Sequence, residues 1–372
     1  MSRLVEFRGR DKWCRWEGSG RCATLRAAAS RIAASACFLH SPDGNPTMHL
    51  SSPHTPVGSL PIQRPALVRQ HRWDGLRCES RLVRAASPRL RPLLLIGGAF
   101  QNKETWGRCE KLLLRSMDVL TVDPPGWGTA DPLPAGQSVD VLADAVCHIL
   151  DESGLRQVNV VGGSYGSAIA YRIAQRHPDR VGRMVLVGTM AAIPEHSREA
   201  MERALAFLDA GRMDEYAHAA VDILMNPERL DEITNGSRVR RFLLRRLAAL
   251  TEAEAVQVSS NTLRLLHHAE LDTSVRVPAP TLTVTGEHDA FTTPEQCRRM
   301  AVACGKGWFA EVAASDHMLF LERPAEIIDL VTRFLAEEPL HGLPYCTRVE
   351  QLSSSSLPAP RAVGPGPGGR TG

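Results

Sequence analysis

The chain has 372 residues, 43% of them hydrophobic, which is enough for one large α/β domain with an inserted lid or for two ordinary domains. Its 44 basic and 41 acidic residues give a net charge of +3, which is too small to indicate nucleic acid or an anionic membrane as a partner. No apolar stretch approaches the roughly 20 residues of a transmembrane helix, so no membrane span is predicted.

The nine cysteines do not suggest a disulfide framework or a zinc site. Their number is odd, and no two of them form a Cys-x-x-Cys pair. Disulfide frameworks use even numbers of cysteines in oxidising compartments, and zinc sites use closely spaced ligand pairs. The pattern therefore predicts reduced, mostly buried thiols in a cytoplasmic protein, without a metal site.

Both ends of the chain differ in composition from the middle. Residues 1–47 contain eight basic and four acidic residues, with an Ala/Ser-rich patch that is too short and too broken for a secretory signal. They are either an Arg-rich targeting peptide or, as we prefer, translated sequence upstream of a start at Met48, and we expect disorder in both cases. Residues 353–372 consist largely of Ser, Pro and Gly, and we expect a flexible tail over 341–372.

The middle of the chain alternates between strand-like and helix-like segments, which is typical of an α/β fold with a mostly parallel sheet flanked by helices. The predicted strands are 66–71, 76–84, 92–96, 118–123, 158–162, 183–188, 281–285 and 308–313. The first two form a hairpin around an Asp74-Gly75 turn. The predicted helices of this core, which covers 60–190 and 274–340, are 106–115, 139–152, 164–176 and 325–337.

One interval breaks this alternation. Residues 191–273 contain no strand-like segment, and helical periodicity recurs in 198–209, 214–225, 237–250 and 252–268. A helical insertion of this length between two strands predicts a lid, or cap, over the carboxyl edge of the sheet.

Residues 162–166 read Gly-Gly-Ser-Tyr-Gly and lie between a predicted buried strand and a predicted helix. A sharp strand-to-helix turn exposes a serine hydroxyl to a base and a substrate, and this is the nucleophile-elbow pattern. Side chains at Gly162 or Gly166 would collide with the neighbouring strand or helix. Ser164 is therefore the predicted nucleophile, with a chance Gly-rich turn as the alternative.

A serine nucleophile needs an imidazole that accepts its proton and a carboxylate that orients the imidazole. Asp289, after the predicted strand 281–285, is our choice for the carboxylate. Glu287 is the rival, but it is nearer the strand and is better explained as a structural or solvated group. His317, on the loop after the last predicted strand, is the predicted base.

Two neighbouring residues could be mistaken for these groups. His288 is the nearest alternative among the 13 histidines, but it lies in the carboxylate's own loop and cannot approach the serine from there. Asp316 adjoins His317, and adjacent residues rarely face one another. We expect Asp316 to shape the loop or to tune the base.

The oxyanion of a tetrahedral intermediate needs two backbone N–H donors. Tyr165, directly after the nucleophile, supplies one of them. The other is expected from the loop at residues 97–101, where two glycines let the backbone turn its amides inward and where Ala99 or Phe100 is the donor. A simple strand-to-helix turn is the alternative for this loop. A phosphate-binding loop has no support, because the glycines lack its spacing.

Taken together, these motifs resemble the α/β-hydrolase superfamily, in the branch that has a helical cap. The motifs are Gly97-Gly98, Asp123-Pro124-Pro125-Gly126-Trp127-Gly128, Gly162-Gly163-Ser164-Tyr165-Gly166, Asp289, and His317 with Glu322 and Pro324. The similarity spans residues 66–338, and the chain order Ser, Asp, His agrees with that of the superfamily.

The resemblance implies that Ser164, Asp289 and His317 form a catalytic triad and that the two amides described above form the oxyanion hole. One position departs from the superfamily, which often has His-Gly where this chain has Gly97-Gly98. The missing imidazole usually braces the oxyanion loop. A serine nucleophile also sets the chain apart from the dehalogenases and epoxide hydrolases of this fold, which use a carboxylate.

The leading functional hypothesis is a hydrolase that cleaves an ester, thioester or lactone of a hydrophobic small molecule through an acyl-serine intermediate. Apolar stretches of the predicted cap favour a hydrophobic substrate, although packing of the cap on the core explains them equally well. The candidate substrate contacts are Phe100, Met190, Met225 and Met318. No cofactor is expected, and the oligomeric state is left open.

Three alternatives remain at this stage. An aminopeptidase specific for N-terminal proline would need acidic cap residues that hold an ammonium group, for which the candidates are Glu195, Glu199, Glu202, Asp209 and Asp214. An acyltransferase or cofactor-free lyase of natural-product biosynthesis would use the same residues with another acceptor, or His317 as a plain base. A small-molecule receptor is the third alternative.

Overall fold

The computed structural model describes residues 65–352, so the predictions for 1–47 and for 353–372 lie outside the described residues. The strands within this range are β1 (Leu67–Trp73), β2 (Leu76–Val83), β3 (Leu93–Ile96), β4 (Val119–Asp123), β5 (Val158–Gly163), β6 (Val181–Val187), β7 (Thr281–Gly286), β8 (Gly307–Val312) and β9 (Cys346–Leu352). They form one sheet in the order β1-β2-β4-β3-β5-β6-β7-β8-β9. The strands from β4 to β8 in this order run parallel, and β1, β2 and β9 are antiparallel to their neighbours.

Ten α-helices occur in the same part of the chain. They are α1 (Gly107–Leu113), α2 (Val139–Glu152), α3 (Tyr165–Arg176), α4 (Glu195–Asp209), α5 (Met213–Leu224), α6 (Gly236–Ala248), α7 (Glu252–His268), α8 (Pro294–Ala303), α9 (Leu319–Glu322) and α10 (Pro324–Leu335). Short 3₁₀ turns occur at Pro178–Arg180 and Pro227–Glu232.

Helices cover both faces of the sheet, which explains why its central strands are apolar throughout. All residues of β3, β4, β5 and β7 are buried. Side chains of a strand alternate between its two faces. Accordingly, Leu94 and Ile96 of β3 pack in the cluster with α2 and α3, whereas Leu93 and Leu95 pack in the cluster with α1 and α10. The prediction of an α/β fold with a mostly parallel sheet is confirmed.

The first hairpin also forms as expected. Strands β1 and β2 pair from Leu67 with Leu82 to Trp73 with Leu76, so the loop between them has two residues. Asp74 and Gly75 both have positive φ, 47° and 79°. Positive φ at both central positions is the requirement of the tight hairpin turn that Asp-Gly sequences favour.

Helices α4 to α7 lie between β6 and β7 and have an apolar core of their own, which includes Leu205, Val221 and Leu247. We call these four helices the cap. Helix α7 starts with a capping box, in which Thr251 and Glu254 each bind the other's backbone N–H. That these helices act as a lid over the carboxyl edge of the sheet stays a prediction.

Two buried side chains of α7 attach the cap to the loop after β4. Arg264 is wholly buried and donates hydrogen bonds to the carbonyl oxygens of Leu133, at 2.6 Å, and Pro134, at 3.0 Å. Asn261 donates to the carbonyl of Gly126 at 2.9 Å. The cap is therefore fixed to the core by hydrogen bonds to backbone carbonyls of the loop after β4.

The prediction of a flexible tail over 341–372 is wrong for residues 346–352. Strand β9 pairs with β8 in an antiparallel ladder that runs from Gly307 with Leu352 to Val312 with Cys346. Without β9, the outer backbone groups of β8 would have no partner in the sheet. Pairing satisfies these groups, and this gain outweighs the cost of ordering seven residues.

The described part of the chain contains six cysteines, and none of them is in a disulfide. Five of the six are buried, and burial raises the pKa of the Cys297 thiol to about 12. Within the same residues, no helix has the length and apolar character that crossing a membrane requires.

Candidate active site

Ser164 lies at the sharp turn between β5 and α3 and has φ 50° and ψ −119°. A positive φ is strained for any residue with a side chain. The backbone N–H of Ser164 donates to the carbonyl of Val187 at 2.7 Å, which helps to hold this conformation. The turn therefore aims the serine side chain away from the sheet, as the elbow motif predicts.

The two outer glycines of the motif are required by close backbone contacts. A Cβ atom at Gly162 would lie 2.4 Å from the carbonyl oxygen of Gly166. A Cβ atom at Gly166 would lie 2.2 Å from the carbonyl oxygen of Ile96. Real Cβ contacts are longer than this, so only glycine lets α3 approach β3 and β5 so closely.

The structure brings Ser164, His317 and Asp289 into one hydrogen-bonded line. The Nε2 atom of His317 is 2.9 Å from the Oγ atom of Ser164, and its Nδ1 atom is 2.9 Å from Oδ2 of Asp289. An ionised carboxylate only accepts hydrogen bonds, so Nδ1 carries the proton and Nε2 is free to accept. In this tautomer, His317 can take the proton of the serine hydroxyl.

Asp289 is buried in a cage of hydrogen-bond donors that the sequence did not indicate. Its Oδ1 atom accepts from the backbone N–H of Thr292 at 2.7 Å and of Phe291 at 3.0 Å. Its Oδ2 atom accepts from the hydroxyls of Thr292, at 2.6 Å, and Thr285, at 3.0 Å. Burial alone would raise the pKa of Asp289, but His317 and these donors outweigh it, so the pKa is lowered and the carboxylate stays charged.

His317 is buried, and its ring is enclosed by close neighbours. The ring of Phe291 packs edge-on against the imidazole, with the centroids 5.3 Å apart. A Cβ atom at Gly188 would lie 2.8 Å from Cε1 of the imidazole. Burial alone would lower the pKa of His317, but the charge of Asp289 and its hydrogen bond outweigh this, so the pKa is raised.

The raised pKa of His317 predicts the pH dependence of catalysis. A base must be neutral to act, and a higher pKa keeps the imidazole protonated to a higher pH. For any reaction in which His317 acts as the base, we therefore expect kcat/KM to fall on acidification with a midpoint above about 6.5, the ordinary value for histidine. Initial rates across buffers of constant ionic strength measure this midpoint, and a flat profile from about pH 5 to 8 contradicts the role of His317.

The oxyanion loop, residues 97–101, is held beside Ser164 by two side chains. The side-chain oxygen of Gln101 accepts from the N–H of Gly98 at 2.9 Å, and the indole N–H of Trp127 donates to the carbonyl of Gly98 at 3.1 Å. A Cβ atom at Gly98 would lie 3.2 Å from the Cβ of Ser164. Gln101 and Trp127 therefore brace the loop where the superfamily often uses a histidine.

Within residues 65–352, the backbone N–H groups of Ala99, Phe100 and Tyr165 donate no hydrogen bond. Tyr165 is the first residue of α3, where a helix leaves its N–H groups free. Three unpaired amides beside a serine hydroxyl can bind the oxygen of a substrate carbonyl. Their role as an oxyanion hole stays a prediction.

A buried ion pair anchors the chain just after the oxyanion loop and explains two residues of the motif at 123–128, Asp123 and Gly128. Lys103 donates from its backbone N–H to Oδ1 of Asp123 at 2.7 Å and from Nζ to Oδ2 at 2.9 Å. The Nζ atom is also 3.1 Å from Oε2 of Glu79. Gly128 has φ 50°, and a Cβ atom there would lie 2.2 Å from the carboxylate of Asp123.

Asp316 does not orient the imidazole, and instead it shapes the loop that carries His317. Its Oδ1 atom accepts from the backbone N–H of His317 at 2.8 Å, and its Oδ2 atom accepts from that of Asn226 in the cap. Its own N–H donates to Oε2 of Glu322 at 2.7 Å. Burial is the main cause that raises the pKa of Asp316 to about 6 and that of Glu322 to about 8.

Neither rival of the predicted triad takes part in it. Glu287 accepts a hydrogen bond from the backbone N–H of Ala314 and is more exposed than Asp289. His288 lies near Glu232, with Nε2 and Oε2 3.7 Å apart. Both residues stabilise the loops around the site from outside.

Two cavities adjoin Ser164. The first, of about 290 Å³, is lined mainly by apolar side chains, among them Phe100 and Met318, and His317 also lines it. The second, of about 240 Å³, is more polar and is lined by Met190, Arg198 and Glu270 among others. Phe100, Met190 and Met318 therefore lie where a substrate could contact them.

Met225 was a wrong prediction. Its side chain is wholly buried in the core of the cap, and it lines neither cavity beside Ser164. The cap helices have two apolar sides, one toward the cap core and one toward the cavity. Hydrophobicity alone does not tell which side a methionine occupies, whereas its neighbours Ile223 and Leu224 do line the first cavity.

The polar residues that position the site were missed by sequence reasoning, and no local signal marks most of them. Thr292 and Gln101 lie in ordinary loops, and Thr285 lies near the end of β7, where a hydroxyl or amide has several possible partners. Trp127 was part of a recognised motif, but its indole contact was not expected. Among residues 65–352, no group of three or more His, Cys, Asp or Glu side chains is placed to hold a metal ion.

Comparison with known proteins agrees with this geometry. Residues 91–324 match the family model described as alpha/beta hydrolase fold, which covers more than half of the chain. The chain belongs to this family, and it is a hydrolase.

Its curated relatives include several hydrolases. A putative carbamate hydrolase of Caulobacter segnis is 24% identical over 246 residues, which is 65% of this chain and 90% of that protein. A 2-hydroxymuconate semialdehyde hydrolase of a Pseudomonas species is 25% identical over 255 residues, or 66% of this chain and 87% of that protein. The enol-lactonase structure from Burkholderia xenovorans shares the fold, with a TM-score of 0.62 and 20% identity, and covers 72% of this chain and 100% of its own.

Proposed function

We propose that the protein is a serine hydrolase that cleaves an ester, thioester or lactone of a hydrophobic small molecule through an acyl-serine intermediate. The observation that supports this most directly is the line from Ser164 through His317 to Asp289, with both hydrogen bonds at 2.9 Å. A hydroxyl, an imidazole and a buried carboxylate in this order make an activated serine.

In the first half of the reaction, Ser164 attacks the carbonyl carbon while Nε2 of His317 takes its proton. The carbonyl oxygen becomes an oxyanion, which the amides of Tyr165 and of Ala99 or Phe100 stabilise. Asp289 stabilises the imidazolium cation without taking a proton from it. His317 then protonates the leaving oxygen or sulfur, which departs and leaves an acyl-serine.

In the second half, water replaces the leaving group. His317 takes a proton from the water as its oxygen attacks the acyl carbon, and the oxyanion forms again in the same hole. Collapse of this intermediate returns the proton to Ser164 and releases the carboxylic acid. Each proton passes through Nε2 of His317, which is why its tautomer matters.

The apolar cavity supports a hydrophobic substrate. Half of its lining residues belong to the cap, including Leu205, Ala220 and Leu247. A volume of about 290 Å³ is near the lower end for ligand sites, which favours a small or medium acyl group. The second cavity contains Arg198 and Glu270 and suits the more polar leaving group or another acyl acceptor.

The aminopeptidase alternative is disfavoured by the position of its acidic candidates. All five are exposed on the cap, and none lines either cavity beside the serine: Glu195, Glu199, Glu202, Asp209 and Asp214. A substrate ammonium would find no carboxylate of this set at the site. Acyl transfer to another acceptor remains an alternative, because the polar cavity can hold a molecule other than water.

A fluorophosphonate tests the proposal, since it reacts with activated serines and leaves ordinary ones untouched. We expect one adduct on the full chain, located at Ser164 by peptide mass spectrometry, and its loss in Ser164→Ala. A panel of p-nitrophenyl esters, acyl thioesters and prolyl anilides then gives the substrate class. An unlabelled, folded protein that turns over none of these compounds supports a receptor instead.

A further inference from the structure

Helix α6 of the cap presents a basic surface that the hydrolase reaction does not use. Arg238, Arg241, Phe242 and Arg245 are all exposed and follow the i, i+3, i+4, i+7 spacing of one helix face. Within residues 65–352, the three arginine side chains of this face form no ion pair and no hydrogen bond. We call these four residues the basic face.

The acidic residues that bind α6 are already used by other arginines of the same helix. Arg240 is 2.7 Å from Asp222 of α5, and Arg246 pairs with Glu254 of α7. The basic face therefore keeps three positive charges without a described counter-charge. Exposed arginines on globular proteins are usually interspersed with acidic residues, so an unpaired group of three is a candidate binding surface.

The basic face adjoins the mouth of the apolar cavity. Phe242 is 50% exposed and also lines the cavity, next to Leu243. Leu321 of α9, which packs against α6, is 38% exposed and lines the cavity as well. These two side chains make a continuous apolar path from the surface of the protein to Ser164.

We propose that the basic face docks on an anionic lipid surface and that an acyl chain leaves this surface for the cavity between Phe242 and Leu321. An amphipathic arrangement of arginines beside an exposed aromatic residue is what binds the interface of an anionic bilayer. This inference rests in part on the proposed function, because it names the lipid surface as the source of the substrate of the proposed hydrolase. The net charge of +3 does not reveal this face, because it sums the charges of the whole chain.

The direction of the arginines favours a surface over a dissolved anion. Arg238 and Arg245 are seven residues apart, which is about 10 Å along a helix. None of the three arginines of the basic face lines either of the two cavities described beside Ser164, whereas Arg246, on the adjacent side of the helix, lines the first. Charges spread along an outward face match many headgroups in a plane better than one small molecule in a pocket.

The test is sedimentation of the full-length protein with vesicles of phosphatidylcholine alone or mixed with phosphatidylglycerol. We expect binding to the mixed vesicles, weak binding to the neutral ones, and loss of binding at high salt. The variant Arg238→Gln/Arg241→Gln/Arg245→Gln should bind mixed vesicles on the order of 100-fold more weakly. These side chains are exposed, and circular dichroism verifies that the variant is folded.

A matched control removes the same charge from the opposite end of the sheet. Arg89, Arg115 and Arg156 are exposed, lie just before the amino ends of parallel strands, and have no described side-chain partner. Their triple change to glutamine should leave vesicle binding unchanged. Equal loss in both variants would mean that only total charge matters, and no binding by the unaltered chain would overturn the docking surface.

Labelling by the fluorophosphonate separates this inference from the proposed function. Neither triple variant alters the residues around Ser164, so both should be labelled at the normal rate. Normal labelling without vesicle binding rejects the lipid surface and keeps the hydrolase. Vesicle binding that depends on Arg238, Arg241 and Arg245, without any labelling of Ser164, keeps the surface and rejects the hydrolase.

Discussion

Replacing Ser164 with alanine should lower kcat roughly 10³- to 10⁶-fold, the range that loss of a catalytic nucleophile causes in comparable enzymes. The change removes one hydroxyl, whose described partner is Nε2 of His317, so the fold should be unaffected. Substrate binding in the apolar cavity does not depend on this atom, and KM should change much less than kcat. Steady-state kinetics on a p-nitrophenyl ester measure both constants.

Ser274→Ala is the control for this variant. Ser274 lies in the exposed loop before β7, where its hydroxyl donates to Asp272 at 2.6 Å. It should retain full activity. Full activity in Ser164→Ala as well would show that Ser164 is no nucleophile, and a lyase that uses His317 as a plain base would become the better explanation.

Replacing Asp289 with asparagine should lower kcat about 10⁴-fold, the size of the effect when the orienting carboxylate of a serine triad loses its charge. The side-chain N–H₂ of asparagine can donate to Nδ1 of His317, which would then lack its proton. The Nε2 atom would carry the proton instead and could not accept another from Ser164. The midpoint of the pH profile should also fall, because Asp289 raises the pKa of the imidazole.

Glu287→Gln, at the carboxylate that was the alternative to Asp289, is the control for Asp289→Asn. Glu287→Gln removes a charge from the same loop, but the one hydrogen bond described for the Glu287 carboxylate comes from the backbone N–H of Ala314. We expect a change in kcat of less than about threefold, since an exposed group of this kind contributes little. A larger loss of kcat in Glu287→Gln than in Asp289→Asn would show that Glu287, and not Asp289, is the orienting carboxylate.

The sequence is most informative where a local pattern determines a local structure. Helices α2 and α7 have the predicted bounds because their apolar periodicity runs from one end to the other, and in α7 a capping box fixes the start. The turn at Ser164 could be predicted because its motif is local: it lies between a strand and a helix, and the close contact at Gly162 is with Gly166 of the same motif. The expectation for His317 came from its position on a loop after a predicted strand and from the chain order Ser, Asp, His.

The hydrogen bonds of polar side chains in loops could not be predicted in the same way. The hydroxyl of Thr292 reaches both Asp289 and His317, and Gln101 turns back on Gly98, but a threonine or glutamine in a loop has many possible partners. Only the folded backbone selects among them. The same reason explains Met225, whose burial depends on how α5 rotates against its neighbours.

Of two elements that were missed, one left a clear signal in the sequence and the other did not. Helix α8 starts with Thr293, Pro294 and Gln296, and this combination of a capping box and a proline in the first turn is typical of a helix start. Strand β9 directly precedes a Ser-rich run. The composition of that run led to the prediction of a flexible tail over the whole segment 341–372. Its seven residues have too weak an alternation to predict a strand without knowledge of the open edge of β8.

Strand β9 also sets where the chain can be shortened. A truncation just after the last helix, α10, would remove the strand that covers β8 and would leave a row of free N–H and C=O groups along the outer side of the sheet. Such a row can pair with the same row of another molecule, which leads to dimers or aggregates. The smallest well-behaved version of this domain therefore extends at least to Leu352, beyond all the residues of the candidate site.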